Sequence, residues 1–336
     1  MSDETIVMLT AALQRALEPT LGAVEIEGLR RLTGGASRES WSLDAVDLAG
    51  ARHELILRRD FPGGATQNPD ALIGRSDTLD RAGEYALLER LFELGLPVAR
   101  PVVLPTTGEL PDSFIMERIA GEARPHVIVR EHGGSSGEDS LAEQLGATLA
   151  KIHALGEDDL PPLPRRDTAA MLDGVRVLLD RCPPRPAFEL ALRWCRQNAP
   201  AGETLRLAHG DYRTANYIVG PEGLRAIIDW EFAHLGDPHG DLAFLCMRAW
   251  RFGADEREVG GIGSREDLYR GYERAGGGRV DPAALHYADV LAHLYSGAVF
   301  LMRAVQFADG SGRSLEGAAI GRRAAEIEYD MLELLG

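Results

Sequence analysis

Two aspartates and one asparagine stand at a spacing that suits metal-assisted chemistry on a hydroxyl group. Asn216 follows Asp211 by five positions, and Asp229 follows Asn216 by thirteen. Carboxylate and amide oxygens suit Mg²⁺, which usually takes only one or two protein ligands and fills its shell with phosphate and water. A further carboxylate beside such a metal can orient and deprotonate a hydroxyl. This division of labour is that of phosphoryl transfer, with one Asp as base and an Asn and a second Asp as metal ligands.

The residues between Asn216 and Asp229 predict a β-hairpin that brings the two side chains together. Two short apolar segments of β-forming residues, 217–219 and 226–228, flank a turn at 220–223 that contains glycine and proline. Asn216 then lies just before one strand and Asp229 at the end of its partner. The hairpin is expected to bring both residues, with Asp211, to one edge.

The composition is that of a folded soluble protein of roughly two domains or lobes. The 336 residues are 45% apolar and 26% charged. The formal net charge of −16 argues against broad binding of nucleic acid or of an anionic membrane. The three dispersed cysteines fit neither a disulfide framework nor a zinc site, and with an acidic N-terminus that shows no signal peptide they predict a cytoplasmic location. The apolar stretch 284–302 has polar interruptions and predicts a buried helix rather than a membrane span.

The order of predicted elements divides the chain into a strand-rich part and a mostly helical part. After Arg118 the pattern is helical, except for a β-like patch over 208–230. The helix over 78–94 is expected to have Ser76, Asp77 or Thr78 as its N-cap. The strand-rich part is predicted to contain a helix over 5–17 and strands over 24–32, 40–48, 53–58, 98–104 and 113–118.

The motifs around these residues resemble those of the aminoglycoside phosphotransferase and choline kinase superfamily, which are relatives of the protein kinases. His209-Gly210-Asp211, with Asn216 five residues later, resembles the catalytic loop. Ile228-Asp229-Trp230-Glu231 resembles the metal-binding motif of the family. The run 230–238 resembles a bacterial phosphotransferase branch whose domain is also found fused to acyl-CoA dehydrogenases.

The resemblance implies an α+β, two-lobed, protein-kinase-like fold. A small N-lobe, residues 1–118, would consist of an antiparallel sheet with one main helix and would bind the nucleotide. A larger and mostly helical C-lobe, residues 119–336, would carry the catalytic residues and the acceptor site.

The resemblance also implies a small-molecule kinase that uses Mg²⁺ and ATP or GTP to phosphorylate a hydroxyl of a metabolite or an antibiotic. Asp211 would be the base, Arg213 would stabilise charge on the transferred phosphoryl group, and Asn216 with Asp229 would hold the metal. The partners would be the nucleotide and a small hydroxyl-bearing acceptor, with no nucleic acid and no membrane. The protein would be a monomer or a homodimer.

Residues of the N-lobe are expected to hold the nucleotide. Arg58 stands where the family usually has lysine, and Glu84, on a helix, is its expected ion-pair partner. Arg59 is the alternative cation, since successive strand residues face opposite sides. The backbone of the connector would bind the base, and a glycine turn would cover the phosphates. The connector residues are Met116, Glu117 and Ile119, and the turn residues are Gly34, Gly35, Ala36 and Ser37.

Several nearby residues have structural interpretations instead. Asp241 is expected to cap a helix and, by the resemblance, to brace the catalytic loop. His209 is expected to be a packed scaffold residue, Trp250 a core residue, and the segment 234–239 a capped turn.

Two other functions stay open from the sequence. One is a nucleotide-binding regulator without turnover, favoured only by arginine at position 58. The other is a metal-dependent hydrolase, and its residues would be His209, Asp211, Asp229, His234 and His239.

Two classes of acceptor molecule stay open from the sequence. The net charge suits a cationic aminoglycoside, whereas Arg213 and the branch associated with acyl-CoA dehydrogenases point to a hydroxy acid or thioester. A metabolic hydroxyl compound ranks slightly above an antibiotic.

Overall fold

The structure, a computed structural model, describes residues 3–32, 38–60, 78–105, 110–312 and 315–336. These residues form two compact units. One holds the described residues as far as Ala120, apart from Thr78, and the other holds Thr78 and Gly121–Gly336. The predicted lobe boundary, after residue 118, lies two residues before the end of the first unit, and the roles assigned to the lobes stay predictions.

The first unit is built on a five-stranded antiparallel sheet in the order β1-β2-β3-β5-β4. Along the chain, one helix precedes the five strands, and a second helix lies between the third and the fourth of them. The elements are α1 (Asp3–Leu21), β1 (Val24–Arg31), β2 (Glu39–Asp47), β3 (Arg52–Arg59), α2 (Arg81–Glu93), β4 (Pro101–Val103) and β5 (Ser113–Glu117).

Strand alternation on β3 decides which side chains meet α2. Leu55 and Leu57 join the apolar cluster that includes side chains of α1. Arg58 therefore lies on the opposite face of the sheet, where it is paired in register with Phe114 of β5. Helix α2 contacts β5 and buries Glu84. The sheet thus brings a buried cation and a buried carboxylate to one face.

Helix α2 begins later than the sequence suggested. Its N-cap is Asp80, whose carboxylate accepts a hydrogen bond of 2.7 Å from the backbone N–H of Gly83. The predicted cap at Ser76, Asp77 or Thr78 is therefore wrong. Several residues that can cap a helix lie close together in the sequence there, so the local pattern does not choose among them.

The second unit is mostly helical and contains two small two-stranded sheets, β6 with β9 and β7 with β8. The helices are α3 (Pro125–His132), α4 (Leu141–His153), α5 (Thr168–Leu179), α6 (Pro186–Gln197), α7 (His239–Cys246), α8 (Arg265–Arg274), α9 (Pro282–Asp309), α10 (Leu315–Arg322) and α11 (Ala324–Leu335). The strands are β6 (Arg206–Ala208), β7 (Tyr217–Gly220), β8 (Gly223–Ile227) and β9 (His234–Gly236).

Helix α9 is the central element of the helical core. It contacts α5, α6, α7, α10 and α11, and its residues Val290, Leu294 and Ala298 are fully buried. By length and composition alone this helix could also cross a membrane, but 56% of its most apolar window is buried inside the protein. The predicted buried helix over 284–302 is therefore confirmed as a core helix.

Truncating Leu57 tests the core of the first unit. The side chain has no exposed surface, so Leu57→Ala should lower the free energy of unfolding by about 2–5 kcal/mol. Leu48, with 90% of its surface exposed, provides the control, and Leu48→Ala should change stability by less than about 0.5 kcal/mol. Urea denaturation measures both, and equal effects would show that this core is wrongly placed.

Candidate active site

A buried carboxylate on α7 holds the loop that follows β6. The backbone N–H groups of His209 and Gly210 donate to the two carboxylate oxygens of Asp241, at 2.7 and 2.9 Å. Burial would raise the pKa of Asp241, but the hydrogen bonds that it accepts from the His153 side chain and from the backbone N–H of His209 help to lower it below its ordinary value. Asp241 lies inside α7, after its first residue His239, so the predicted capping role is wrong and the bracing contact is present.

Glycine is required at the second position of this loop. Gly210 has φ of 79°, a conformation that L-residues with a side chain rarely adopt. A Cβ atom there would lie 2.4 Å from the backbone oxygen of Phe232. The loop can therefore pass this close to the segment after β8 only with glycine.

His209 ties the loop to the end of β8. Its Nδ1 accepts a hydrogen bond of 3.2 Å from the backbone N–H of Asp211, so Nε2 carries the proton and donates to the backbone oxygen of Ile228 at 3.0 Å. The ring is fully buried and lies 4.7 Å, between centroids, from Trp230. The expected scaffold role of His209 is confirmed, and the contact fixes the loop next to Asp229.

The predicted hairpin is present and holds Asn216 beside Asp229. Strands β7 and β8 pair antiparallel around a two-residue turn, Pro221-Glu222, which is shorter than the predicted one. The backbone N–H of Ile228 donates to the backbone oxygen of Asn216 at 2.9 Å. Asp229 then turns the chain with φ of 70° and ψ of 59°, the left-handed region.

Three of the four predicted catalytic and metal-binding side chains make direct contact. Asp211 accepts 2.9 Å from Nε of Arg213 on one carboxylate oxygen and 2.6 Å from the amide nitrogen of Asn216 on the other. Burial raises the pKa of Asp211, the charge of Arg213 opposes this rise, and the charge of Asp229 adds to it. Asp229, the fourth residue, is thus close enough to act on Asp211 electrostatically.

The donor set fits a magnesium ion. The amide nitrogen of Asn216 donates both to the carboxylate and to the backbone oxygen of Asp211, which leaves the amide oxygen for another partner. With the carboxylate of Asp229 this gives an all-oxygen set, the kind that Mg²⁺ takes.

The histidines of the alternative hydrolase site do not form a metal cluster. Nδ1 of His234 contacts the backbone oxygen of Phe232 at 2.9 Å, and Nδ1 of His239 contacts the carboxylate of Asp237 at 2.8 Å. Within the described ranges, no group of three or more His, Cys, Asp or Glu side chains could hold a metal ion. The segment is instead strand β9 followed by a short turn into α7, where Asp237 accepts a hydrogen bond of 2.9 Å from the backbone N–H of His239. The expected capped turn is therefore present only in the second half of the segment.

In the first unit the predicted ion pair is present. Nε of Arg58 lies 3.3 Å from a carboxylate oxygen of Glu84, and both side chains are buried. The alternative cation, Arg59, faces the other side of the sheet, where it contacts Glu39 at 2.8 Å and lies over Trp41. Of these two arginines, Arg58 is therefore the one that meets α2.

Two further arginines that the sequence interpretation did not include contact the same carboxylate. Arg38 donates to Glu84 at 3.0 Å, and Arg81 also forms an ion pair with it. Both arginines donate to the backbone oxygen of Leu79 as well. Arg81 lies three positions before Glu84 on a helix, which is a readable signal. Arg38 is brought there only by the fold.

Among the residues that the structure describes, no contact links the remaining predicted nucleotide-binding residues to this ion pair. Met116 and Glu117 end β5, where the backbone N–H of Glu117 donates to the backbone oxygen of Arg100 at 2.9 Å. Ile119 follows, half-buried, near the end of the first unit. The predicted turn residues Gly34, Gly35, Ala36 and Ser37 lie outside the described residues. The roles of all seven residues stay predictions.

The chain is similar to one family of enzymes and to part of a group of larger proteins. Residues 28–277 match the model of the phosphotransferase enzyme family, abbreviated APH. Acyl-CoA dehydrogenase family member 11 of Pongo abelii is 27% identical over 276 residues, which are 72% of this chain and 34% of that protein. The chain therefore spans about a third of the length of this relative.

Solved structures confirm the predicted two-lobed kinase-like α+β fold. A protein of Ralstonia eutropha classed as an aminoglycoside phosphotransferase superposes with a TM-score of 0.72 at 18% identity, over 97% of each chain. Spectinomycin phosphotransferase, in complex with ADP and spectinomycin, gives a TM-score of 0.63 at 15% identity, over 95% of this chain and 97% of its own.

Removing the charge of Glu84 tests the buried ion-pair cluster. Glu84→Gln leaves three guanidinium groups around a neutral amide and should cost about 3–5 kcal/mol of unfolding free energy, because Asp60, at 3.4 Å from Arg38 and 3.5 Å from Arg81, compensates only part of their charge. Glu93 lies on the same helix with a largely exposed side chain, so Glu93→Gln should cost less than about 0.5 kcal/mol. Equal stability of both variants in urea denaturation would contradict the cluster.

Proposed function

Since the chain belongs to the phosphotransferase enzyme family, we propose that it transfers the terminal phosphoryl group of a nucleoside triphosphate to a hydroxyl group of a small molecule. The observation that carries this proposal is the contact between Asp211 and Asn216 beside Asp229, on a loop held by Asp241. These are the oxygen donors and the base that phosphoryl transfer needs.

Asp211 acts as the general base. The acceptor oxygen forms a bond to the terminal phosphorus, its proton passes to a carboxylate oxygen of Asp211, and the bond to the leaving nucleoside diphosphate breaks. Arg213, 2.9 Å from Asp211, supplies a cation next to the reacting groups and stabilises the charge on the transferred phosphoryl oxygens.

Asn216 and Asp229 hold the metal through their oxygen atoms. When bound there, Mg²⁺ supplies positive charge that neutralises the phosphate oxygens. The hairpin contact between Ile228 and Asn216 keeps the two ligands adjacent before any ion arrives.

The first unit supplies the nucleotide contacts. Arg58 acts on the phosphates, with its guanidinium oriented by Glu84, while the turn 34–37 and the connector 116–119 bind the phosphates and the base. The ADP in the related spectinomycin phosphotransferase supports a purine nucleotide as donor, ATP or GTP. Arginine in place of lysine does not favour a regulator without turnover, since Arg58 makes the expected ion pair.

A metabolic hydroxyl compound is the preferred acceptor, ahead of an antibiotic. The curated relative carries the name of an acyl-CoA dehydrogenase, a class of metabolic enzyme, and Arg213 beside the base disfavours a cationic acceptor. The protein would act in the cytoplasm as a monomer or homodimer, without nucleic acid or membrane. The three cysteines, unpaired and buried, fit a reducing compartment.

Replacing the base should abolish most turnover without loss of nucleotide binding. Asp211→Asn should lower the rate of nucleotide consumption by about 10²–10⁴-fold, because the amide cannot accept the proton. The assay is a screen with Mg²⁺-ATP across amino sugars, macrolides, choline-like alcohols and hydroxy acids. Asp158→Asn, at an exposed acid of the same unit, is the control and should behave as wild type. Wild-type turnover by Asp211→Asn would refute the role of base.

Replacing the metal ligand should act on binding itself. Calorimetry of ATP binding with and without Mg²⁺ gives the gain in affinity that the ion provides. Asp229→Asn should remove most of that gain, since the amide lacks the charge that attracts the ion. Asp158→Asn should keep it. A gain as large in Asp229→Asn as in wild type would show that the ion binds elsewhere.

A further inference from the structure

One aromatic ring supports the cation beside the proposed base. The guanidinium carbon of Arg213 lies 4.6 Å from the ring centroid of Trp250, while Nε of the same arginine donates to Asp211 at 2.9 Å. The arginine is thus held from two sides, by a ring face and by a carboxylate. A cation at this distance from an indole face is attracted by the quadrupole of the ring.

The ring of Trp250 is itself fixed by elements around it. It packs on Phe244 of α7 with centroids 5.4 Å apart and lies edge-to-face with Phe300 of α9 at 6.3 Å. The preceding residue, Ala249, accepts a hydrogen bond of 3.0 Å from Arg323, which immediately precedes α11. Three helices of the second unit therefore determine where this ring lies.

The two supports of Arg213 respond differently to the reaction. When Asp211 takes the proton of the acceptor, it loses its charge and its attraction for the guanidinium group. The attraction of the Trp250 ring does not depend on that proton. The ring therefore keeps the cation near the base during the step in which phosphoryl oxygens need positive charge.

We propose that Trp250 is a positioning residue of this site, one that acts on phosphoryl transfer through Arg213. This inference rests on the proposed function and adds to it a residue that the sequence analysis had assigned to the core. The rival explanation is that Trp250 only fills space in the helical core, in which case its loss would affect activity independently of Arg213.

A double-mutant cycle separates the two explanations. Trp250→Leu should lower kcat for the consumption of Mg²⁺-ATP by about 2- to 30-fold, the span expected for loss of a cation–π contact, with little change in KM for ATP. The phosphoryl acceptor in this assay is the compound that gives the highest turnover in the screen. If no compound raises turnover, the acceptor is water. In an Arg213→Gln background the same substitution should have no further effect. Equal losses of kcat in both backgrounds would overturn the proposal.

Trp250→Phe provides the conservative variant. The buried indole N–H has no hydrogen-bond partner among the described residues, so phenylalanine removes none and keeps an aromatic face. It should retain most of the activity that leucine loses, and a loss equal to that of leucine would contradict the ring contact. Trp194→Leu, at a half-buried tryptophan stacked on Tyr287, is the matched control, and its effect should be the same with and without Arg213.

A fluorescence measurement tests the contact without turnover. Arg213→Gln should change the tryptophan emission of the resting protein, and this change should vanish in a Trp250→Phe background. A change that persists there would overturn the contact. Failure of the proposed function would give a different result. Asp211→Asn would then consume nucleotide at the wild-type rate, while the change in tryptophan emission caused by Arg213→Gln would still depend on Trp250. Additive losses of kcat in a protein that depends on Asp211 would refute only the role of Trp250.

Discussion

The buried carboxylate of Asp241 is the interaction on which the rest of the candidate site depends. Its two oxygens accept the backbone N–H groups of His209 and Gly210, and the loop that carries Asp211 begins at that point. Bonds from N–H groups to an ionised acceptor are short and strong, so they fix backbone position rather than only side-chain orientation. His209 carries this constraint on to the end of β8, next to Asp229.

Each of the two units contains a buried carboxylate that holds other polar groups in place. Taking ions out of water is costly, and such groups persist where each has partners in good geometry. Asp241 has the histidine and backbone donors around it, and Glu84 has three arginines. In each unit one buried carboxylate therefore positions groups that can meet phosphate or metal, and neither carboxylate is itself proposed to contact substrate.

Local pattern was enough to predict the hairpin. The ion pair between Arg58 and Glu84 was expected from the family resemblance, and strand alternation and helix periodicity only narrowed the choice of residues, with Arg59 left as an alternative. Local pattern was not enough where tertiary contact decides the outcome. Several residues near α2 can cap a helix, and the fold selects Asp80. Arg38 is far from α2 in sequence and Trp250 has an ordinary core pattern, so neither could be linked to its partner from the sequence.

In the proposed function the oxygens of Asn216 and Asp229 hold a divalent cation, while Asp211 acts as the base and does not ligate the metal. The most direct measurement is a crystal structure with Mg²⁺ and a non-hydrolysable ATP analogue. We expect both of these residues to ligate the ion and the carboxylate of Asp211 to contact no metal. An ion bound away from Asn216 and Asp229, or ligated by Asp211, would contradict it.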